Sequence, residues 1–148
     1  MKPHLIALTL GAVTLSGCTP TQEAPPAPAG LAGTAWQLVE FQSMDDAQGI
    51  TRPANPTRYT IRFSADGRVA ARLDCNRGMG NWTSEGAGAL RIGPLATTRM
   101  LCPPPSDGDR LGKQLDYVRS YLIRDGRLHM SLMADGGILV WERADAAE

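Results

Sequence analysis

Between residues 59 and 75 apolar and polar positions alternate with a period of two. Tyr59, Ile61 and Phe63 fall on one face and Thr60, Arg62 and Ser64 on the other, the pattern of a half-buried strand. An Ala65-Asp66-Gly67 turn follows, and Val69, Ala71, Leu73 and Cys75 then continue an inward row, so the segment predicts a hairpin. Trp36 and Leu38 predict an earlier strand, and Leu90 with Ile92 a short later one. Asp125-Gly126 joins Tyr121–Arg124 to Arg127–Leu132 as a second hairpin, after which Gly136-Gly137 turns the chain into Ile138–Glu142. Leu128, Met130 and Leu132 share one face of the penultimate strand, with Val140 their expected partner on the last.

One segment has a different period. After Pro103-Pro104-Pro105, Ser106 or Asp107 can cap a helix in which Leu111, Leu115, Val118 and Leu122 recur at helical spacing, with Lys113, Asp116 and Arg119 on the other side. The expected class is therefore mainly β: a small antiparallel β-barrel or strongly curled sheet with one packed α-helix, since closure removes exposed strand edges. No internal repeat of fixed period is present.

The N-terminus adds an address. Met1-Lys2-Pro3-His4 precedes an eleven-residue apolar run, Leu5–Leu15, which is the anatomy of a signal peptide. Eleven helical residues reach about 16 Å, roughly half the hydrocarbon core of a bilayer, so a permanent span is not expected. Residues 1–17 are read as the signal segment, residues 18–30 as a tether, residues 31–143 as the folded domain and residues 144–148 as a tail. The tether carries four prolines and no large apolar residue; semi-extended, it reaches up to about 35 Å.

Leu15-Ser16-Gly17-Cys18 resembles the lipobox of bacterial lipoproteins. That resemblance implies a diacylglyceryl group on the Cys18 thiol, cleavage before Cys18 and further acylation, such as palmitate, of the new amine. Several acyl chains anchor a protein stably where one binds marginally. In such lipoproteins of Gram-negative bacteria, an Asp after the lipidated Cys retains the protein at the inner membrane. Thr19 stands there instead, so the expected location is the bacterial envelope, on the outer membrane facing the periplasm. Cys75 and Cys102 are then the only remaining thiols in an oxidising compartment and are expected to bond to each other. A closed loop of about 28 residues is worth on the order of 3.5 kcal/mol in the chain-entropy description. A redox-active or metal-binding pair is the alternative, disfavoured because no Cys-x-x-Cys and no nearby histidine accompany it.

Charge removes one class of function. The full chain has 15 basic and 15 acidic residues, and loss of residues 1–17 takes away Lys2 alone, leaving 14 basic, 15 acidic and a formal charge of −1. That is not the footprint of a nucleic-acid binder. Apart from Lys113, the remaining basic residues are arginines scattered from Arg52 to Arg143, and no run of them forms an anion tract.

The domain is similar to the META domain family, the small envelope domain of HslJ-type heat-shock lipoproteins. Gly33-Thr34-Ala35-Trp36-Gln37-Leu38 matches its opening strand, Phe63-Ser64-Ala65-Asp66-Gly67 its hairpin, and Thr98-Arg99-Met100-Leu101-Cys102 its Thr-Arg-Met-x-Cys element. Asp74-Cys75-Asn76-Arg77 matches a Gly-Cys-Asn-Arg stretch with the glycine replaced. The resemblance implies a β-barrel-like fold with one helix, an envelope location and a link to envelope stress.

Catalytic chemistry is not evident. His129, the only histidine after residue 17, lies mid-strand and reads as a solvated strand residue rather than a general base. Gly78-Met79-Gly80 reads as a tight loop after Cys75, and Asp45-Asp46 as a solvated pair in a polar loop. No metal site and no cofactor are expected. One constellation remains: a Cys75–Cys102 bond brings Asn76 and Arg77 near Thr98 and Arg99, and these four residues are the candidate contact for an anionic ligand or partner. The competing reading has Asn76 and the threonines satisfying turn backbone, with Arg77 or Arg99 paired to Asp74. The expected function is that of a non-enzymatic envelope module, membrane-bound through Cys18 and binding a protein or envelope component. A small-ligand carrier using the barrel interior is the alternative, and a hydrolase the least favoured.

Overall fold

The computed structural model describes residues 30–86 and 88–144. Cys18 and the signal segment lie outside these residues, as do all of the tether except Gly30 and all of the tail except Ala144. Ten strands are present: β1 (Thr34–Gln42), β2 (Ile50–Thr51), β3 (Tyr59–Phe63), β4 (Arg68–Leu73), β5 (Asn76–Thr83), β6 (Arg91–Ile92), β7 (Ala96–Thr97), β8 (Val118–Arg124), β9 (Arg127–Leu132) and β10 (Ile138–Arg143). A 3₁₀ turn at Pro56–Arg58 precedes β3, and a single α-helix among the described residues, α1 (Gly108–Leu115), precedes β8. No helix among the described residues is long and apolar enough to cross a membrane.

The strands hydrogen-bond in the order β6-β5-β4-β3-β1-β10-β9-β8, with β2 beside β1 and β7 beside β5. All pairings are antiparallel. The two ends of this path then meet. Ala89 bridges to Ser120, the Leu90 N–H donates to the Arg119 carbonyl at 3.1 Å, and the Tyr121 N–H donates to the Gly88 carbonyl at 2.7 Å. The sheet is therefore a nearly closed barrel. Alternation directs Trp36, Ile61, Phe63, Val69, Leu128, Met130 and Trp141 into its interior, all buried, and the Phe63 and Trp82 rings pack edge to face at 5.3 Å. Leu111 and Leu115 of α1 are fully buried and complete the core.

Several expectations need correction. The helix ends at Leu115, and Val118 and Leu122 belong to β8. The Tyr117 N–H returns to the Gln114 carbonyl at 3.0 Å, closing the last turn, and the Tyr117 carbonyl accepts from the Met133 N–H at 2.8 Å. The β-rich run Val118-Arg119-Ser120-Tyr121-Leu122-Ile123 then gains a ladder on β9, interrupted only by an irregularity at Arg119, which outweighs its helical spacing. Of the two capping candidates, Asp107 flanks α1 without a side-chain capping bond, its N–H donating to Tyr59 Oη at 3.0 Å, whereas Ser106 Oγ accepts from the Gly108 N–H at 3.4 Å.

Gly78-Met79-Gly80 is not a loop but the middle of β5. A Cβ on Gly80 would lie 2.9 Å from Leu95 Cδ2, and one on Gly78 would lie 3.1 Å from Thr97 Cγ2. The glycines leave room for Leu95, which packs against the core from the segment before β7. The inward row of β4 stops at Leu73, because Asp74 takes a φ of +63° and opens a two-residue turn that pairs Leu73 with Asn76. Cys75 therefore sits in the turn. Val140 is buried but stands opposite His129; the residues that share the inner face with Leu128 and Met130 are Trp141 and Leu139. A register of one residue decides which face a strand position occupies.

Candidate functional site

Cys75 and Cys102 stand at disulfide distance, their Cα atoms 5.6 Å apart, and the residues around them form a ledge. Asn76, only 7% exposed, organises it. Its Nδ2 donates to the Met100 carbonyl at 2.9 Å, while its Oδ1 accepts from Thr98 Oγ1 at 2.9 Å and from the Met100 N–H at 2.7 Å. Thr98 is further tied by two backbone-level bonds, the Arg77 N–H to its Oγ1 and its own N–H to the Arg77 carbonyl, both at 3.0 Å. Asn76 and Thr98 are thus consumed in holding residues 98–100 against the start of β5.

The ledge forms one wall of a groove of about 570 Å³ whose other wall is α1. Leu73 and Leu95 are at its apolar base. Arg99 lines it from the ledge, Asp109 and Lys113 line it from the helix, and Asp116 from just past the helix end. Arg77 does not line it. It stands opposite Arg72 on the outward face of the sheet, so the structure separates the two arginines of the candidate contact. Asp74 meets neither of them: its buried carboxylate pairs with Arg58, which the 3₁₀ turn delivers. Neither Asp74 oxygen has a well-aligned hydrogen bond, so the ion pair is what offsets the cost of burying this charge.

The sequence reading missed the most exposed feature of the ledge. Met100 is 59% exposed and Leu101 is 100% exposed, on backbone pinned from both sides by Asn76 and the cysteine pair. The available signal was position: an apolar residue just before a cysteine and three prolines has no ladder to join. Elsewhere, His129 is half-buried in mid-β9, and no group of three or more His, Cys, Asp or Glu side chains among the described residues could hold a metal. Away from the groove, Gln42 Nε2 donates to Glu40 at 3.0 Å and Arg52 pairs with it at 2.7 Å. The Gln42 bond foremost, and Arg52 after it, hold the Glu40 carboxyl below its ordinary range, against the smaller opposing effect of burial.

Fold and ledge together define a small antiparallel barrel, packed by one helix and braced by a cysteine pair. The chain belongs to the META domain family, whose model matches residues 29–146. No curated protein matches it. Among solved structures it is similar to a protein from Burkholderia xenovorans, determined by NMR. That likeness has a TM-score of 0.63 at 22% identity, covering 86% of this chain and 98% of the other. It is also similar to a DUF4847 family protein from Bacteroides vulgatus, with a TM-score of 0.55 at 16% identity over 78% of this chain and 96% of the other. At these identities the likeness concerns the fold alone.

Proposed function

We propose that the chain is a non-enzymatic envelope lipoprotein, anchored through Cys18 at the outer membrane and facing the periplasm, which docks an envelope protein on the ledge beside α1. The observation that carries this reading is Leu101, a wholly exposed leucine on backbone held in place by Asn76 and by Cys75–Cys102. An exposed apolar side chain gains on burial, and a pinned ledge loses little conformational entropy when a partner binds it. Arg99 beside it suits an acid on that partner.

The test is crosslinking and capture from intact envelopes. Leu101→Asp and Arg99→Ala should weaken capture of the partner while leaving the thermal transition in place. Cys18→Ala should abolish acyl-chain labelling. An unchanged capture profile in both groove variants would reject the ledge, unchanged labelling would reject the anchor, and turnover of an ester, peptide or glycan by the purified protein would reject the non-enzymatic assignment.

A further inference from the structure

The arginines that lie scattered along the sequence are gathered by the sheet. Strands β3, β4, β5 and β6 contain Arg62, Arg68, Arg72, Arg77 and Arg91 and not one Asp or Glu. All five arginines are exposed. Register places them on one surface. Arg72 stands opposite Arg77, Arg62 opposite Ala70, which in turn faces Met79, Arg68 opposite Asn81, and Arg91 opposite Thr83. The inward partners of the same strands, such as Ile61, Val69 and Trp82, are buried. Arg62 has an interaction of its own within the molecule; Arg72 Nε donates to the Asp74 carbonyl at 3.2 Å, and among the described residues neither Arg72 nor Arg77 forms an ion pair with a carboxylate. The nearest acids in sequence are Asp74 in the β4–β5 turn, whose carboxylate is buried and paired with Arg58, Asp66 at the β3–β4 turn, with Oδ1 already accepting from the Arg68 N–H at 3.1 Å, and Glu85 just after β5.

Like charges set directly opposite on neighbouring strands, as Arg72 and Arg77 are, are destabilising, and an anion lying across them relieves that repulsion. The surface is the open outer side of the barrel, with Ala70 and Met79 among the arginines, which suits a laterally repeating array of phosphates better than a single enclosed anion. Guanidinium groups bind phosphate in bidentate fashion and keep their charge at any physiological pH.

We propose that the outward face of β3–β6 is a docking surface for an anionic bilayer, with arginines binding phospholipid headgroup phosphates. The domain's radius of gyration is about 13 Å, so the tether is long enough to let this face lie against the membrane. The surface is distinct from the groove, and its test does not depend on any protein partner. Residues 18–148 carrying Cys18→Ser, so that no acyl chain contributes, are sedimented with phosphatidylcholine vesicles with and without phosphatidylglycerol. Binding is expected only with phosphatidylglycerol, falling steeply as salt rises. Arg72→Gln/Arg77→Gln should lower partitioning roughly tenfold or more, because each such residue near an anionic surface contributes on the order of 1 kcal/mol. Arg124→Gln/Arg127→Gln, which removes the same charge from the β8–β9 hairpin, should bind within about twofold of the parent. Equal losses in the two double variants would make the effect one of net charge and overturn the proposal. So would binding indifferent to phosphatidylglycerol, release by inorganic phosphate where chloride at equal ionic strength has no effect, or preference for polyglutamate over vesicles.

Discussion

Asn76 is the residue on which the ledge depends. Its amide meets a carbonyl, an N–H and a hydroxyl of residues 98–100, an arrangement open only to a side chain with both donor and acceptor ends. Alanine there removes the partner of the Met100 N–H and carbonyl and leaves Thr98 Oγ1 with the Arg77 N–H alone. We expect Asn76→Ala to destabilise the protein by about 1–3 kcal/mol in denaturant titration, and to expose the Met100 amide to hydrogen exchange well before the core opens. The cysteine pair alone cannot supply this restraint, because it fixes Cys102 but not Met100. A Met100 amide as protected in the variant as in the parent would show that the ledge is held by something other than Asn76.

At the scale of elements, α1 sits closer to the sheet than an ordinary helix could. A Cβ on Gly108 would lie 2.6 Å from the Leu73 carbonyl oxygen, whereas one on Gly112 would lie 3.4 Å from Leu73 Cδ1. Alanine normally favours a helix over glycine by about 1 kcal/mol. Gly112→Ala should therefore raise the melting temperature, while Gly108→Ala should lower it by forcing the helix off β4; changes of the same sign would count against this packing. The hairpins β3–β4, β8–β9 and β9–β10 were legible in the sequence because alternation and Asp-Gly or Gly-Gly turns are local signals. The strand β5 was not, because glycines at 78 and 80 remove two of its inward side chains and Leu95 from another segment fills the space. The end of α1 was hidden for a related reason: Val118 satisfies both a helical spacing and an inward strand position, and only pairing with β9 decides between them. In the candidate site, cysteine arithmetic set Asn76 beside Thr98, and the two side chains hydrogen-bond at 2.9 Å. It could not reveal that Arg58 reaches Asp74, or that Arg77 and Arg99 diverge, because both depend on register between strands distant in sequence.

The whole molecule depends on a seam. Residues 88–90 join the β6 end of the sheet to β8, and Leu90 is fully buried there. The Gly88 carbonyl accepts from Tyr121 with Gly88 at φ +80°, a conformation other residues rarely adopt. Closure of this kind removes both edges of the sheet at once, so the barrel should unfold as a unit rather than peel from an end. Leu90→Ala takes the apolar pin out of the seam and leaves a cavity between β6 and β8, at an expected cost of about 2–5 kcal/mol. In the parent, the Leu90 and Tyr121 amides should exchange only with the core amides of β3 and β4, through global unfolding. In the variant those two should exchange ahead of the core, because a seam held by hydrogen bonds alone opens locally. Native-state hydrogen exchange reads both quantities in one experiment. Fast exchange at Leu90 and Tyr121 in the parent itself would mean that β6 and β8 behave as free edges and that the barrel is a curled sheet held shut elsewhere.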